Sequence, residues 1–328
     1  MPRTPVFTLF RDSLRAADAL ERSGMSLDEA WSRRRFLRTT AAATAALAVP
    51  RMAKAQDHAR IVILGGGTAG LTCAYRLQQN GVASMILEAA PRAGGRMYSL
   101  QNYFPDGQVA ELGGELIDTD HHAIRELARE LEVELLDLTY LDGSNGHNFY
   151  IDGKLSKSDA DWIEPMRPLA RAIRAAIGDD GANCDVSDLP FQACWETSRG
   201  QRGTHGILTN FTGGRYGANL GNGTLQTRAT EFAAMADRIF PGVAKAYTGK
   251  AVRQHWPTYE WSKGSYACYR PGDYQRYFRA LVEPVGKFVF AGEHTVDEFG
   301  FMNSAVESGN RAAAQVLGML GLQQVRAA

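Results

Sequence analysis

Arg60-Ile61-Val62-Ile63-Leu64-Gly65-Gly66-Gly67-Thr68-Ala69-Gly70 is the stretch that decides the fold. Arg60 to Leu64 is a short, β-branched, apolar run that reads as a buried parallel strand. It runs into Gly65, Gly67 and Gly70, the spacing GxGxxG. Gly65 permits a tight turn, Gly67 lets backbone approach a diphosphate, and Gly70 lets the following helix pack closely on the strand. A helix is expected from about Ala69 to Gln79, its free N–H groups and positive dipole end facing the phosphates. Gly81 stops it, and Ala83-Ser84-Met85-Ile86-Leu87 forms a second strand ending in Glu88, 23 residues after Gly65. An acid there accepts hydrogen bonds from adenosine ribose hydroxyls and repels a 2′-phosphate. The order strand, glycine loop, helix, strand, acid is that of a dinucleotide-binding α/β unit.

Working outward, Glu88-Ala89-Ala90-Pro91-Arg92-Ala93-Gly94-Gly95-Arg96 resembles the E-x(5)-GGR extension of the glutathione-reductase-like class of FAD oxidoreductases that includes amine oxidases. The resemblance implies that Gly95 lies against FAD and that Arg96 supports its pyrophosphate by charge-assisted contact. Arg92 competes for that role but is expected to face solvent.

Far downstream, Lys287-Phe288-Val289-Phe290-Ala291-Gly292-Glu293-His294-Thr295 reads as another buried strand with a polar end. Gly300-Phe301-Met302-Asn303-Ser304-Ala305-Val306-Glu307-Ser308-Gly309 follows it. Together they resemble the segment that completes the FAD site of flavin amine oxidases. The resemblance implies that Glu293 holds the ribityl chain and that Gly300 to Ala305, with Phe301 and Met302, lies along flavin and pyrophosphate. Ser304 to Glu307 has the form of a capping box, so a helix is expected from about Ser304. Ala305, Gly309, Ala312, Ala313, Val316 and Leu320 give it a small-residue stripe. His294 is expected to orient its neighbours. No metal site is expected, because the histidines lack ligand spacing.

Between these ends, Glu111-Leu112-Gly113-Gly114-Glu115-Leu116-Ile117-Asp118 resembles the family loop that returns beside the flavin ring, with Gly114 at the cofactor. Ala123 to Glu132 is expected to be an amphipathic helix with Ile124, Leu127 and Leu131 on one side. Phe149 to Leu155 reads as a hairpin turning at Asp152-Gly153, and residues 161–177 as helical. The resemblance resumes at Asp188 and passes through Trp195 to Gln201 and Leu208 to Gly214. In full-length relatives a stretch of domain size, carrying a central strand and the active-site lysine, lies between the parts matching Ile177 and Asp188. Here only the polar, loop-like Gly178 to Ser187 stands there. No catalytic residue can therefore be assigned, and Lys250 and Lys263 are expected at the surface. The loss should also uncover sheet edges and apolar faces.

The 328-residue chain, 45% hydrophobic, can bury a core. It has no net charge, but residues 1–55 carry 10 Lys/Arg against 5 Asp/Glu. The rest is thus mildly acidic and gives no cationic face for a nucleic acid. The basic excess lies in a leader. Ser32-Arg33-Arg34-Arg35-Phe36-Leu37-Arg38 resembles the twin-arginine export motif, and a short apolar run and Ala53-Lys54-Ala55 follow. That run is too short for a membrane span, and cleavage near Gln56 would leave a mature protein with no stable span, periplasmic or secreted. The export machinery is then a partner. Cys73, Cys184, Cys194 and Cys268 form no CxxC pair and read as small buried hydrophobes, with a Cys184–Cys194 bridge as the alternative.

The expected fold is α/β: a doubly wound FAD-binding, glutathione-reductase-like domain with a reduced α+β substrate domain. The divisions are 1–55 signal peptide, 56–120 first FAD-binding part, 121–258 reduced substrate domain and 259–328 closing FAD-binding part. The resemblance implies oxidation of a primary amine or amino acid by hydride transfer to flavin N5, with O2 reduced to H2O2. Relatives acting on amino acids often carry an arginine at the position of Leu116, which favours amines lacking a carboxylate. An L-amino-acid oxidase or tryptophan 2-monooxygenase-like activity, and an internally deleted, inactive FAD-binding relative, stand as alternatives. Phe301, Trp261 and Tyr266 are candidates for an aromatic substrate wall.

Overall fold

The computed structural model describes residues 61–138, 149–151, 153–156, 185–187 and 189–322. The leader and the helix expected over 161–177 lie outside them.

The first unit forms as the sequence implies. Strand β1 (Ile61–Leu64) leads into helix α1 (Thr68–Gln79) and parallel strand β2 (Ser84–Leu87), with Val62 opposite Met85 and Leu64 opposite Leu87. The expectation that these strands are buried holds for one face only. Ile61 and Ile63 pack on a core of Cys73, Leu77, Ala312, Ala313 and Leu317. On the other face Val62, Leu64, Met85 and Leu87 are exposed, Leu64 at 80%. Among the described residues this sheet has two strands, β1 and β2.

The strand expected over 287–291 does not form. A single bridge joins Val285 to Phe288, and Phe288 is exposed. Val289 and Ala291 still pack on the core through their side chains. An extended segment becomes a strand only when its backbone groups find a ladder partner, and the adjoining sheet does not reach it.

Strands β3 (Ser99–Leu100) and β4 (Ala110–Glu111) pair antiparallel, followed by helix α2 (His122–Glu130). Helix α2 is amphipathic as expected and buries Ile124 and Ala128, but it ends before Leu131, which is exposed. The hairpin turning at 152–153 forms β5 (Phe149–Ile151) and β6 (Lys154–Ser156). Asp185 to Ser187, read as loop, is strand β7, which runs parallel to β5 and antiparallel to β8 (Ala193–Glu196). Strand β9 (Leu208–Phe211) completes a mixed sheet of order β6-β5-β7-β8-β9. Pairing on both sides makes β7 a strand despite its polar sequence.

Short helix α3 (Gly214–Asn219), α4 (Leu225–Ala236) and α5 (Val243–Ala246) follow. The Thr224 hydroxyl caps α4 by accepting from the Thr227 N–H at 3.1 Å. A second core lies here: Phe191, Cys194 and Ile239, with Phe232 and Met235 packed against it. Helix α6 (Asp273–Val282) precedes the closing helix α7 (Met302–Met319).

Helix α7 starts two residues before the expected capping box, and no side chain caps it. Ser304 instead donates to the Glu298 carbonyl, and Glu307 accepts from Asn303. The helix packs directly on α1. A Cβ on Gly309 would sit 2.5 Å from the Ala69 carbonyl oxygen, so the small-residue stripe serves close helix approach. Leu317 takes the fully buried place expected for Leu320.

Cys73 is a buried free thiol, pushed up to about 11 by burial, and Cys194 is buried as expected. Cys184, the other half of the alternative bridge, lies outside the described residues, and Cys268 is exposed rather than buried. Among the described residues no helix is long and apolar enough to cross a membrane.

Candidate functional site: a dinucleotide cradle closed by both chain ends

The glycine loop is built as its spacing requires. Gly65 has φ +104°, a conformation L side chains rarely adopt. A Cβ on Gly70 would lie 2.1 Å from the Gly65 carbonyl oxygen. Gly67 precedes α1, which has no side-chain cap and no acid in its first turn, so its positive end is uncompensated. The GGR extension folds back onto this loop: Gly94 N–H donates to the Gly66 carbonyl at 2.8 Å, and Gly95 lies against Gly67.

Glu88 sits at the end of β2 as expected, turned toward the loop. Its carboxylate accepts from Ala90 N–H at 2.7 Å and Gly66 N–H at 2.5 Å. These two bonds, the Ala90 one first, hold its carboxyl below the usual carboxylate range. Arg92 is not a free solvent arginine. It donates to the carbonyls of Gly95 and Met97 and lies 4.1 Å from the Tyr98 ring centroid, bracing the loop from outside.

The two ends of the chain meet at Arg96. Its guanidinium donates to Glu293 Oε1 at 2.9 Å and to the Ser265 carbonyl at 2.5 Å. Glu293, 7% exposed, also accepts from Gly300 N–H at 2.7 Å and Ala267 N–H at 3.1 Å. His294 is half-buried, and burial foremost lowers its pKa, with Arg96 and Arg311 adding to the effect.

Residues Phe301, Met302 and Ala305 stand at the start of α7, whose first turn also holds no acid. Met302 packs on Gly114, where a Cβ would meet its Sδ at 2.6 Å. A Cβ on Gly113 would lie 1.9 Å from the Arg96 carbonyl oxygen. The paired glycines thus bring the returning loop against both the GGR segment and α7. The Phe301 ring lies 4.8 Å from that of His121, and Asn303 Oδ1 accepts from Ile124 N–H at the start of α2.

Every residue expected at the cofactor therefore gathers around the adjoining ends of α1 and α7. Of the aromatic candidates, Phe301 is half-buried at this end and Tyr266, half exposed, lies beside it against Gly300, whereas Trp261 is half exposed. Lys250 and Lys263 are at the surface as expected, Lys250 donating to the Tyr103 carbonyl. Asp118, Asp120 and His121 bring ligand-type atoms within 4.8 Å of one another, but His121 Nδ1 is already engaged by the Asp118 N–H.

Sequence reasoning missed Glu115. Its carboxylate is largely buried and accepts from Trp195 Nε1 at 2.9 Å and Thr197 Oγ1 at 2.5 Å, and burial raises its pKa. The available signal was a charged residue directly after a glycine pair, in a loop required to pack closely.

The flavin containing amine oxidoreductase family model matches residues 68–190 and 180–317. Human flavin-containing amine oxidase B is 28% identical over 173 residues, which cover 44% of this chain and 31% of that protein. An L-amino-acid oxidase of Bothrops moojeni is 38% identical over 76 residues, covering 23% of this chain and 15% of that protein. The chain thus spans a third or less of the length of these relatives. The solved cyclohexylamine oxidase of Brevibacterium oxydans superposes with a TM-score of 0.63 over 80% of this chain and 99% of that one, at 15% identity. That likeness is one of fold.

Proposed function

This chain belongs to the flavin containing amine oxidoreductase family, and on that premise we propose that it is built to oxidise a primary amine or amino acid with FAD as its cofactor. The observation that supports the proposal is the Arg96–Glu293 contact, which joins the two segments that resemble the family's cofactor motifs. The residues fit the group. Gly65 needs a positive φ, Gly70 leaves no room for a side chain, and neither helix has an acid in its first turn to oppose a diphosphate.

Gly65, Gly67, Gly70 and Gly95 would hold the pyrophosphate, Glu88 the adenosine ribose, and Glu293 with Arg96 the ribityl region. Gly114, Phe301, Met302 and Ala305 would flank the ring. When bound, FAD would supply the redox chemistry, by which the substrate loses a hydride from carbon and a proton from nitrogen to become an imine while O2 is reduced to H2O2. The chain's own contribution is to position substrate and exclude water. Leu116, where an arginine would pair a carboxylate, favours amines lacking one. Among amino-acid substrates, an L-amino-acid oxidase or tryptophan 2-monooxygenase-like reaction is the alternative.

A second reading, an FAD-binding relative without turnover, is favoured by the exposed face of β1 and β2. Such a face fits the loss of a central segment between Ile177 and Asp188. We further propose export of the folded protein by the twin-arginine route to the periplasm or beyond, on the strength of Ser32 to Arg38. The deciding experiment measures flavin per chain and peroxide release from benzylamine, aliphatic amines and L-amino acids. Flavin with peroxide supports oxidation, and flavin without peroxide supports the second reading. A colourless chain that takes up no FAD sinks both.

A further inference from the structure

Glu115 sits where two parts of the molecule are fastened together. On its N-terminal side, Gly113 and Gly114 lie against the Arg96 carbonyl and Met302, so the loop cannot shift relative to the proposed flavin side. On its other side its carboxylate takes two donors from the mixed sheet, Trp195 Nε1 on β8 and Thr197 Oγ1 just beyond it. An indole N–H can only donate, so this contact calls for an acceptor, and an ionised carboxylate is a strong one. Among the described residues no Lys or Arg lies within salt-bridge distance of Glu115. Its charge is therefore directed to these neutral donors.

The sheet is also tied to the cofactor side right beside Thr197, whose carbonyl accepts from Gln201 Nε2 at 3.1 Å. Gln201 exchanges two hydrogen bonds with the Val109 backbone at 2.8 and 2.9 Å, and Gln108 donates to the His205 carbonyl. Glu115 adds an attachment on strand β8 itself, at Trp195. Trp195 in turn lies 5.7 Å, ring to ring, from Phe211 on β9, so its placement sets a whole sheet face.

We propose that Glu115 is a positioning residue that fixes the substrate-side sheet over the flavin-side loop by holding Trp195 and Thr197 with one carboxylate. This rests on the reading of the cleft as an amine oxidase site. Glu115 acts through Trp195, and makes no contact with Gly65 to Gly70, Arg96 or Glu293 among the bonds described here. Cofactor retention and substrate placement should therefore separate.

The test uses the full chain loaded with FAD, as wild type, Glu115→Gln, Trp195→Phe and the double variant. In Glu115→Gln the Thr197 hydroxyl can turn to accept from the new amide, which keeps the fold. Flavin per chain should stay within about twofold while KM for benzylamine rises about tenfold with little change in kcat, the loss of one charge-assisted bond. The indole N–H resonance absent from Trp195→Phe should move in Glu115→Gln. The double variant should be no worse than the poorer single one. Overturning outcomes are an unmoved Trp195 resonance, additive losses, or flavin content falling with the melting temperature, which marks a merely structural role. Wild type that holds no flavin defeats the oxidase reading itself, whereas flavin-bound wild type with an indifferent Glu115→Gln defeats only this inference.

Discussion

Arg96 and Glu293 stand 197 residues apart in sequence and 2.9 Å apart in space. Glu293 is almost fully buried, Arg96 about a third exposed. The contact fixes both cofactor segments relative to each other, and it makes Arg96 a closing residue as well as a candidate phosphate ligand.

Removing the guanidinium leaves Glu293 buried with only two backbone donors. Arg96→Met should lower stability by about 2 kcal/mol, less than for a fully buried pair because Arg96 is partly solvated. Glu293→Gln should cost less, since its amide oxygen still accepts from Gly300. Urea midpoints at neutral pH check both, and equal losses would show that the charge contributes nothing.

Gly309 sets the distance between α1 and α7. Gly309→Ala would place its methyl 2.5 Å from the Ala69 carbonyl, push the helices apart and cost about 2 kcal/mol, with weaker FAD retention. Gly318, on the same helix with nothing within 4 Å of an added Cβ, is the control. Gly318→Ala should stabilise by about 0.5 kcal/mol. Thermal melts and flavin content separate the two.

Two partly buried carboxylates should give pH slopes of opposite sign. Glu130 is held below its ordinary pKa by Arg76, with contacts of 2.5 and 2.9 Å. Its stabilisation is present above the unfolded carboxyl pKa and is lost as pH falls through the lower folded value. Glu115 is raised by burial, with Trp195, Thr197, Glu111 and Arg199 around it. It favours the fold at acid pH and ceases to as pH rises through its folded value. Glu130→Gln should remove the acid-side loss and Glu115→Gln the decline above it, read from unfolding free energies between pH 3 and 8.

The exposed face of Val62, Leu64, Met85 and Leu87 should bind apolar dyes and promote association. Leu64→Thr with Met85→Thr should cut dye fluorescence and light scattering without lowering the melting temperature, because neither side chain packs on the core. A drop in melting temperature would mean that something covers this face.

Much of the site was legible before any coordinates. Gly65, Gly67, Gly70 and Glu88 are constrained by turn geometry and close approach, which are local properties. The helix over 68–79 followed, to within a residue, from the glycine motif and its Gly81 stop, and the one over 122–130, expected at 123–132, from periodicity. The extent of the second sheet and the order around 285–291 were not legible. Strand β7 is polar yet paired on both sides, and Phe288 is apolar yet unpaired. Ser304 and Glu307 have the spacing of a capping box, but each finds a nearer partner in Glu298 and Asn303.

By itself the sequence determined the β-α-β unit, its glycine loop and the closing helix, because backbone sterics and helical spacing act over a few residues. Only the tertiary structure decided that Arg96 meets Glu293, that Glu115 holds Trp195, and that one face of β1 and β2 lies open. Such contacts depend on which distant groups remain to satisfy a buried charge or a bare strand, and that is settled when the whole chain has packed.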